Sequence, residues 1–362
     1  MNFDLSDEQK MLADQAKSLL AERSPYDHLR KLINAKAEWD EPLWRELADM
    51  GFLGANIAED FGGLGLSELD LGVISQELGR ANAAVPFFSS IVLAAGAIAL
   101  AGSQKQKSEW LPKLASGAAV GCFAYAEGPG TRAPTVRLSG GRLNGVKTPV
   151  ADAGVAEIAV VQCAEGLALV RLDQPGVTRS RLDSFDELRP HYRLAFNNAE
   201  AEALTGGGSA LETLLDRAAA QAAFEAVGGA EACLYMARDY AMERRIFGRT
   251  LSSFQAIKHK LADVITAIEL ARSNAYFAAW AAADAPDELP GAAAAARLTA
   301  IAAFEMAARE NVQVHGGIGY TFEANCHFYY RRERTLALSL GGREPWAERL
   351  LAHVPGSQVK AA

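Results

Sequence analysis

Two short segments in the last third of the chain carry side chains that could hold a phosphate group. In the first, Arg244 stands three residues before Phe247, and Gln255 follows Phe247 by eight residues. The second joins Gln313 to the pair Gly316-Gly317. A guanidinium binds phosphate through fork-like hydrogen bonds, and glycine lets the backbone approach an anion closely because it has no Cβ. The same residues could equally cap helices, and taken alone they leave both interpretations open.

The composition limits the kinds of partner and ligand that this protein is expected to bind. A net charge of −8 argues against nucleic acid, which needs a basic surface. Residues 1–10 are acidic and polar, and no uncharged apolar run reaches about 18 residues. We therefore expect no secretory signal, no membrane span and a cytoplasmic protein. Four cysteines without CxxC spacing fit a reducing compartment, argue against a zinc site and are expected to be buried. They are Cys122, Cys163, Cys233 and Cys326.

Helical patterns fill the first 117 residues. Ser6 and Gln9 have the spacing of a capping box, and an apolar stripe with a period of about 3.6 residues follows them. Further helices are predicted at 42–50, 68–80, 91–101 and 104–115. This part of the chain is therefore predicted to be an N-terminal helical domain, residues 1–117.

From residue 118 the pattern changes. Short apolar runs such as 158–162 and 167–172, separated by glycine and proline turns, predict a β domain over residues 118–205. Glycines 206–208 are predicted to form a linker. The chain is Ala-rich beyond them, and helices are predicted at 209–245, 252–284, 288–314 and 333–353. The fold class is therefore α+β, mainly α, with a four-helix bundle at 206–354 and a frayed tail at 355–362.

Five stretches resemble signatures of the acyl-CoA dehydrogenase family. Residues 43–51 read LWRELADMG. Residues 59–65 read EDFGGLG, and residues 77–80 read ELGR. Residues 244–256, RRIFGRTLSSFQA, resemble the family's R-x-x-F-G … F-Q segment, and 313–323, QVHGGIGYTFE, resemble its Q-x-x-G-G-x-G-Y/F segment. The resemblance covers residues 3–353. It implies the acyl-CoA dehydrogenase fold, in which a helical domain, a β domain and a four-helix bundle follow one another.

The resemblance implies FAD as the cofactor. In the family, the two glycine-containing segments reach across a dimer interface and contact the ADP half of the neighbouring subunit's FAD. The matching positions in this chain are Arg244, Phe247, Gln255, Gln313, Gly316 and Gly317.

The same resemblance shows what this chain lacks. The family's T-E-P-x-x-G-S-D loop reads AEGPGT at 126–131, so Ala126 stands where a hydroxyl donor is usual, and the loop after Gly130 is shortened. The family's K-x-W-I-T/S strand reads KTPVA at 147–151, with Pro149 in the aromatic position and Ala151 in the hydroxyl position. Proline also removes a backbone donor from the strand. We therefore expect the flavin ring to be held weakly by this chain's own β domain.

Neither position that holds the catalytic carboxylate in the family is acidic here. Removing the α-proton of an acyl-CoA thioester needs a carboxylate close to that carbon. The turn that carries it in most members matches Leu340-Gly341-Gly342, and the alternative position on the first bundle helix matches Ala218. Asp216 is a weak substitute, better matched to a contact with the CoA pantetheine arm or to plain helix solvation. No residue is therefore predicted to be catalytic.

Other ionisable residues offer little more. Glu225 and Glu323 are substitutes of similar weakness for the missing base. His315 and His327 lie twelve residues apart without a carboxylate pattern, so we expect structural roles for them and no metal site.

Together these features predict one subunit of a heteromeric acyl-CoA dehydrogenase. An unlike subunit would supply the catalytic Glu, and an electron-transfer flavoprotein would accept the electrons. The segment from Gly319 to Gly341 also resembles the shorter, Glu-less subunits of bacterial steroid-degrading dehydrogenases, which implies a bulky acyl-CoA substrate. Two alternatives stay open. One is a self-sufficient homo-oligomer with an unusual base or a related flavin oxidase chemistry, and the other is a non-catalytic scaffold.

Overall fold

A computed structural model describes residues 5–130 and 133–354. The chain forms two compact units. The sheet unit consists of Leu29–Leu71 and Ala84–Ala218, and the helical unit consists of the described residues up to His28, Gly72–Ala83 and those from Ala219 onward. The shortened loop after Gly130 and the tail at 355–362 were predicted for positions that lie outside the described residues, wholly or in part. The three-domain division stays a prediction.

The first part of the chain is helical, as predicted. Its α-helices are α1 (Asp7–Arg23), α2 (Tyr26–Asn34), α3 (Glu41–Asp49), α4 (Glu68–Arg80), α5 (Gly96–Ala101) and α6 (Gln104–Ala115), with a π-helix at Phe88–Ala95 before α5. The capping box at the start of α1 is confirmed, because the Ser6 side chain accepts from the Gln9 amide and the Gln9 side chain accepts from the Ser6 amide. Ser103 and Gln106 form a second capping box at α6.

One seven-stranded sheet forms the centre of the sheet unit. Its strands are β1 (Gly121–Ala124), β2 (Arg137–Ser139), β3 (Arg142–Ala151), β4 (Ile158–Cys163), β5 (Gly166–Arg171), β6 (Val177–Arg181) and β7 (His191–Ala203). The order is β1-β4-β5-β7-β3-β2, and β6 also pairs with β7. Only the β1–β4 pairing is parallel among these strands. Because β4 and β5 have nearly continuous buried faces, they form the interior of the sheet.

Five α-helices and a short hairpin follow the sheet in the described residues up to 354. They are α7 (Gly207–Glu243), the hairpin strands β8 (Arg245–Ile246) and β9 (Arg249–Thr250), α8 (Gln255–Asp284), α9 (Leu289–His315), α10 (Cys326–Leu338) and α11 (Arg343–Ala352). Alanines dominate the buried faces of α8 and α9, which lets the two helix backbones approach closely. The mainly helical α+β fold class is therefore confirmed.

Two boundary predictions were wrong. The glycines at 206–208 are not a free linker, because α7 begins at Gly207. The helix predicted at 333–353 is two helices, α10 and α11, with a turn at residues 339–342 between them. Gly341 adopts a left-handed φ of 84° in this turn, and the Trp346 indole donates to the Leu340 carbonyl at 3.0 Å. Adjacent glycines followed by Pro345 interrupt the helix more strongly than the apolar periodicity suggests.

The buried face of α9 is mainly apolar, with Arg297 and Asn311 as buried polar residues. Among the described residues, Leu289–Tyr320 is the one helical stretch long and apolar enough to cross a membrane by length and composition, and 56% of its 18-residue apolar segment is buried in the protein. It packs on α8, α10 and α11. Because core helices of ordinary folded domains pass the same test, its apolar character is accounted for by this packing. All four cysteines are free and buried, as predicted.

Candidate functional site

The ends of three helices meet at one side of the helical unit. Ala237 and Ala241 near the end of α7 pack with Val314 near the end of α9 in a small buried cluster. Ile257 and Leu261, near the start of α8, pack against this cluster. Tyr240 and Leu251 also pack against it. The cluster therefore brings the chain around residues 244, 255 and 313 to the same end of the bundle.

A tight hairpin follows α7 at this end. Arg244 extends the last helical turn through its amide, which donates to the Tyr240 carbonyl at 2.8 Å, and its carbonyl accepts from the Leu251 amide at 2.7 Å. Phe247 and Gly248 form the two-residue turn, with φ angles of 49° and 78°. Two consecutive left-handed residues are the signature of a type I′ turn. The turn leaves the Phe247 side chain 92% exposed, which is unusual for a large apolar residue.

The end of α9 provides the second element. Gly316 is the C-cap residue, with φ 65°, and its amide donates to the Val312 and Gln313 carbonyls. The helix-capping interpretation of this glycine is therefore correct. A Cβ built at either Gly316 or Gly317 would meet no atom within 4 Å, so the backbone there faces open space. Capping and close approach of an anion are thus compatible at this position.

The predicted ADP-contact residues lie mostly on the surface of this end of the bundle. Arg244, Gln255, Gln313 and Gly317 are exposed, and Gly316 is half-buried. Within the described parts of the chain, the Arg244 guanidinium makes no ion pair. These residues offer an uncommitted guanidinium, two amides and an open backbone. That donor set fits a nucleotide pyrophosphate with its attached ribose and base.

The segments predicted to hold the flavin ring lie in the sheet unit and are occupied with internal bonds. The Thr148 amide donates to the Ala126 carbonyl at 2.8 Å, and the Gly128 amide donates to the Thr148 carbonyl at 2.8 Å. These backbone donors are therefore already used. With no hydroxyl at Ala126 or Ala151, this edge of the sheet fits a flavin ring less well than the ADP-contact surface fits a nucleotide.

A buried ion pair fixes the same edge. The Lys147 ammonium is fully buried, donating to the Glu127 carboxylate at 2.7 Å and to the Tyr125 carbonyl at 2.9 Å. The amide and hydroxyl of Thr135 also donate to Glu127. Partial burial opposes ionisation of Glu127, but the bonds from Lys147 and Thr135 outweigh it and lower the pKa of the carboxyl to about 2. Burial lowers the pKa of Lys147, against the effect of Glu127.

Both positions expected for a catalytic carboxylate are buried and apolar. Ala218 is fully buried in α7, and Leu340 is 4% exposed in the turn after α10. The Arg297 guanidinium, itself buried, donates to the Leu336 carbonyl at 2.5 Å and lies 3.5 Å from the Ser339 hydroxyl. Burial lowers the pKa of Arg297 to about 10. The turn is therefore held from both sides, by Arg297 and by Trp346.

The three carboxylates considered as substitutes for the missing base differ in burial. Asp216 is 2% exposed on α7. Glu225 is also buried and forms an ion pair with Arg332 at 3.3 Å, which gives it a structural partner. Glu323 is exposed beyond the end of α9.

The contacts of His315 and His327 indicate structural roles. His315 stacks on Tyr240 with ring centroids 4.2 Å apart, and its Nδ1 bonds the Asn311 carbonyl at 2.8 Å. Burial lowers the pKa of His315. His327 lies between Phe322 and Phe328. Across residues 5–130 and 133–354, no group of three or more His, Cys, Asp or Glu side chains could hold a metal ion.

Comparisons with known proteins identify the family. The model of the acyl-CoA dehydrogenase N-terminal domain matches residues 6–118, and that of the C-terminal domain matches residues 205–353. The chain belongs to the acyl-CoA dehydrogenase family. The acyl-CoA dehydrogenase IpdE2 of Mycobacterium tuberculosis is 31% identical over 328 residues, which cover 90% of this chain and 91% of that protein. Family membership also supports FAD as the cofactor, as predicted.

Solved acyl-CoA dehydrogenase structures agree with the fold. A variant of the Tcur3481-Tcur3483 steroid ACAD superposes with a TM-score of 0.88 at 31% identity, covering 95% of this chain and 96% of that chain. One chain of the ChsE4-ChsE5 complex from Mycobacterium tuberculosis superposes with a TM-score of 0.91 at 29% identity, covering 98% of this chain and 100% of that chain. The resemblance stated from the sequence motifs is therefore confirmed.

Sequence reasoning missed several residues of this acyl-CoA dehydrogenase. It did not single out Arg249 in the hairpin or Arg297 beneath the turn, and it gave no role to the Glu127–Lys147 pair. It also missed Glu333, which is 2% exposed with the Arg334 guanidinium 3.0 Å away. Burial raises the pKa of Glu333 to about 7, Arg334 opposes this and Glu305 adds to it. No local pattern distinguishes these residues from solvated charges.

Proposed function

We propose that this chain is one subunit of a heteromeric, FAD-dependent acyl-CoA dehydrogenase. It would contribute the ADP-contact surface to the FAD held by an unlike subunit. That subunit would provide the catalytic carboxylate and an intact flavin-binding β domain. The reaction would be α,β-dehydrogenation of an acyl-CoA thioester, with an electron-transfer flavoprotein as acceptor.

The observation that carries this proposal is the contrast between the two sets of residues. Arg244, Gln255, Gln313 and Gly317 are exposed, and open space lies above Gly316-Gly317. Leu340 and Ala218, at the two base positions, are buried and apolar. A chain working alone would need the reverse, namely a carboxylate beside the substrate carbon. An isolated chain also gains nothing from a 92% exposed phenylalanine at the tip of a hairpin, whereas a subunit interface would bury it.

Each residue of this surface has a role in that assembly. Arg244 would pair with the pyrophosphate through two parallel hydrogen bonds. The backbone at Gly316-Gly317 would approach a phosphate closely, and the Gln255 and Gln313 amides would bond ribose hydroxyls or base edges. Bound FAD would supply the two-electron acceptor of the reaction. This chain's contribution is to hold that group in place.

The substrate proposal rests on similarity. One superposed structure is described as a steroid ACAD, and another is a complex of two differently named subunits, ChsE4 and ChsE5. A bulky, steroid-like acyl-CoA and a two-component assembly are the corresponding proposals for this chain.

Co-expression with an acyl-CoA dehydrogenase subunit that carries the catalytic Glu and an intact flavin-binding β domain tests the proposal. We expect one FAD per heterodimer, acyl-CoA oxidation only by the complex, and loss of FAD on Arg244→Gln. Arg245→Gln is the matched control, since it removes the same charge from the neighbouring position. A yellow, active protein from this chain alone would support the self-sufficient enzyme. A complex that binds no FAD would support the scaffold.

A further inference from the structure

We infer that Arg249 is a second pyrophosphate-binding cation, acting beside Arg244 on the ADP-contact surface. This inference rests on the proposed function. A pyrophosphate diester carries two negative charges, and a single guanidinium balances only one of them. A second cation of this chain should therefore lie on the same side as Arg244.

Strand register places Arg249 on the side of Arg244. In the hairpin, Ile246 pairs with Arg249, and Arg245 pairs with Thr250. The bond between the Leu251 amide and the Arg244 carbonyl continues the ladder by one step. Directly paired residues share a face and successive residues alternate, so Arg244, Ile246 and Arg249 point to one face. Arg245 points to the other.

The Arg249 guanidinium is already oriented. Its Cζ lies 3.9 Å from the centroid of the Phe254 ring, which is the residue directly before Gln255. Stacking holds the plane of a guanidinium while leaving its N–H edge available for hydrogen bonds. Arg249 is exposed. This arrangement fixes an accessible fork of donors on the ring of Phe254.

The local charge is also uncompensated. Residues 244–262 contain five Lys or Arg side chains and no Asp or Glu, between Glu243 and Asp263, in a chain whose net charge is −8. Of these five, Lys260 is neutralised by Glu310 at 2.6 Å. In the described part of the chain Arg244, Arg245 and Arg249 form no ion pair. Arg244 and Arg249 share one hairpin face, and two unpaired cations on one face match a doubly charged anion better than they match solvent.

The test measures FAD binding by the apo-heterodimer, titrated with FAD and followed by quenching of flavin fluorescence. Four variants are compared with the native complex: Arg249→Gln, Arg249→Lys, Arg244→Gln and Arg245→Gln. Removing a charge-assisted bidentate contact weakens binding by roughly tenfold or more, so we expect that for Arg249→Gln and Arg244→Gln. Arg249→Lys keeps the charge without the fork and should fall between. Arg245→Gln should stay within about twofold.

Heterodimer mass and melting temperature are measured for each variant, so that a folding defect is recognised. If Arg249→Gln weakens FAD binding no more than Arg245→Gln does, while Arg244→Gln weakens it strongly, the inference about Arg249 is wrong and the proposed function stands. If Arg244→Gln also binds FAD normally, the proposed function itself fails. ADP competition separates the two halves of the ligand, because ADP should show the same order of variants as FAD.

Discussion

Tyr240 stacks on His315 with ring centroids 4.2 Å apart and an interplanar angle of 25°, and this contact joins the end of α7 to the end of α9. Arg244 follows Tyr240 by four residues, and Gln313 precedes His315 by two. Two motifs separated by about 70 residues of sequence are therefore held together by one aromatic contact and the small cluster beneath it.

Loss of the Tyr240 ring should loosen that arrangement. We expect Tyr240→Ala to lower the unfolding free energy by about 1–3 kcal/mol, because a partly buried ring and its stacking partner are lost. FAD binding by the heterodimer should weaken at the same time. Tyr235→Ala is the control, since Tyr235 precedes Tyr240 on the same helix, α7, and is 40% exposed. Equal effects of the two changes on FAD binding would contradict the role given to Tyr240.

The two glycines at the end of α9 should separate stability from cofactor binding. Gly316 has a left-handed φ of 65°, so Gly316→Ala should destabilise the fold by about 1–2 kcal/mol. Gly317 has no atom within 4 Å of a built Cβ, so Gly317→Ala should fold normally. Its methyl group would nevertheless keep a phosphate away from the backbone and weaken FAD binding. Calorimetry and FAD titration of both variants check this, and tight FAD binding by Gly317→Ala would argue against a phosphate there.

The Glu127–Lys147 pair should matter for stability far more than surface pairs do. Glu127→Gln leaves a fully buried ammonium without its counter-charge, and we expect a loss of about 3 kcal/mol in urea unfolding at pH 7. Glu200→Gln, which removes an exposed pair with Arg142, should cost less than about 1 kcal/mol.

The same pair has a defined pH dependence. The pKa of Glu127 is about 2 in the folded protein and 4.5 in the reference state, so its stabilising contribution is complete above pH 4.5 and is lost as the pH falls toward 2. The difference in stability between native protein and Glu127→Gln should shrink over that interval. A difference that stays constant from pH 6 to pH 3 would disprove the assignment.

The contribution of Glu333 to stability should depend on pH in the opposite direction. Its pKa is raised from 4.5 to about 7 by burial, so the folded protein favours the protonated form. Ionisation therefore costs stability, and the cost grows as the pH rises from 4.5 to about 7 and then stays constant. Glu333→Gln should stabilise the protein at pH 8 relative to the native chain and have little effect at pH 4.5. Glu348→Gln, an exposed change on α11, should show no such trend when melting temperatures are compared across pH.

Much of the fold was predictable from local patterns. The capping box at Ser6, the helices at α3, α4 and α6, and strands β4 and β5 were found within one or two residues of their observed bounds. These features depend on short-range periodicity and on side chains bonding to nearby backbone. The boundaries that were wrong lie at Gly207 and around Gly341, where glycine permits both a helical and a turn conformation.

The sequence by itself determined the family, the mainly helical α+β fold, and the absence of a carboxylate at positions 218 and 340, because these follow from residue types at fixed spacings. Only the tertiary structure decided that Tyr240 meets His315, that Arg249 lies on Phe254, and that Glu333 and Lys147 are buried. Apart from the stacking of Arg249 on Phe254, which joins residues near in sequence, those facts depend on contacts between helices and strands distant in sequence. No local pattern encodes how deeply a charged side chain will be enclosed.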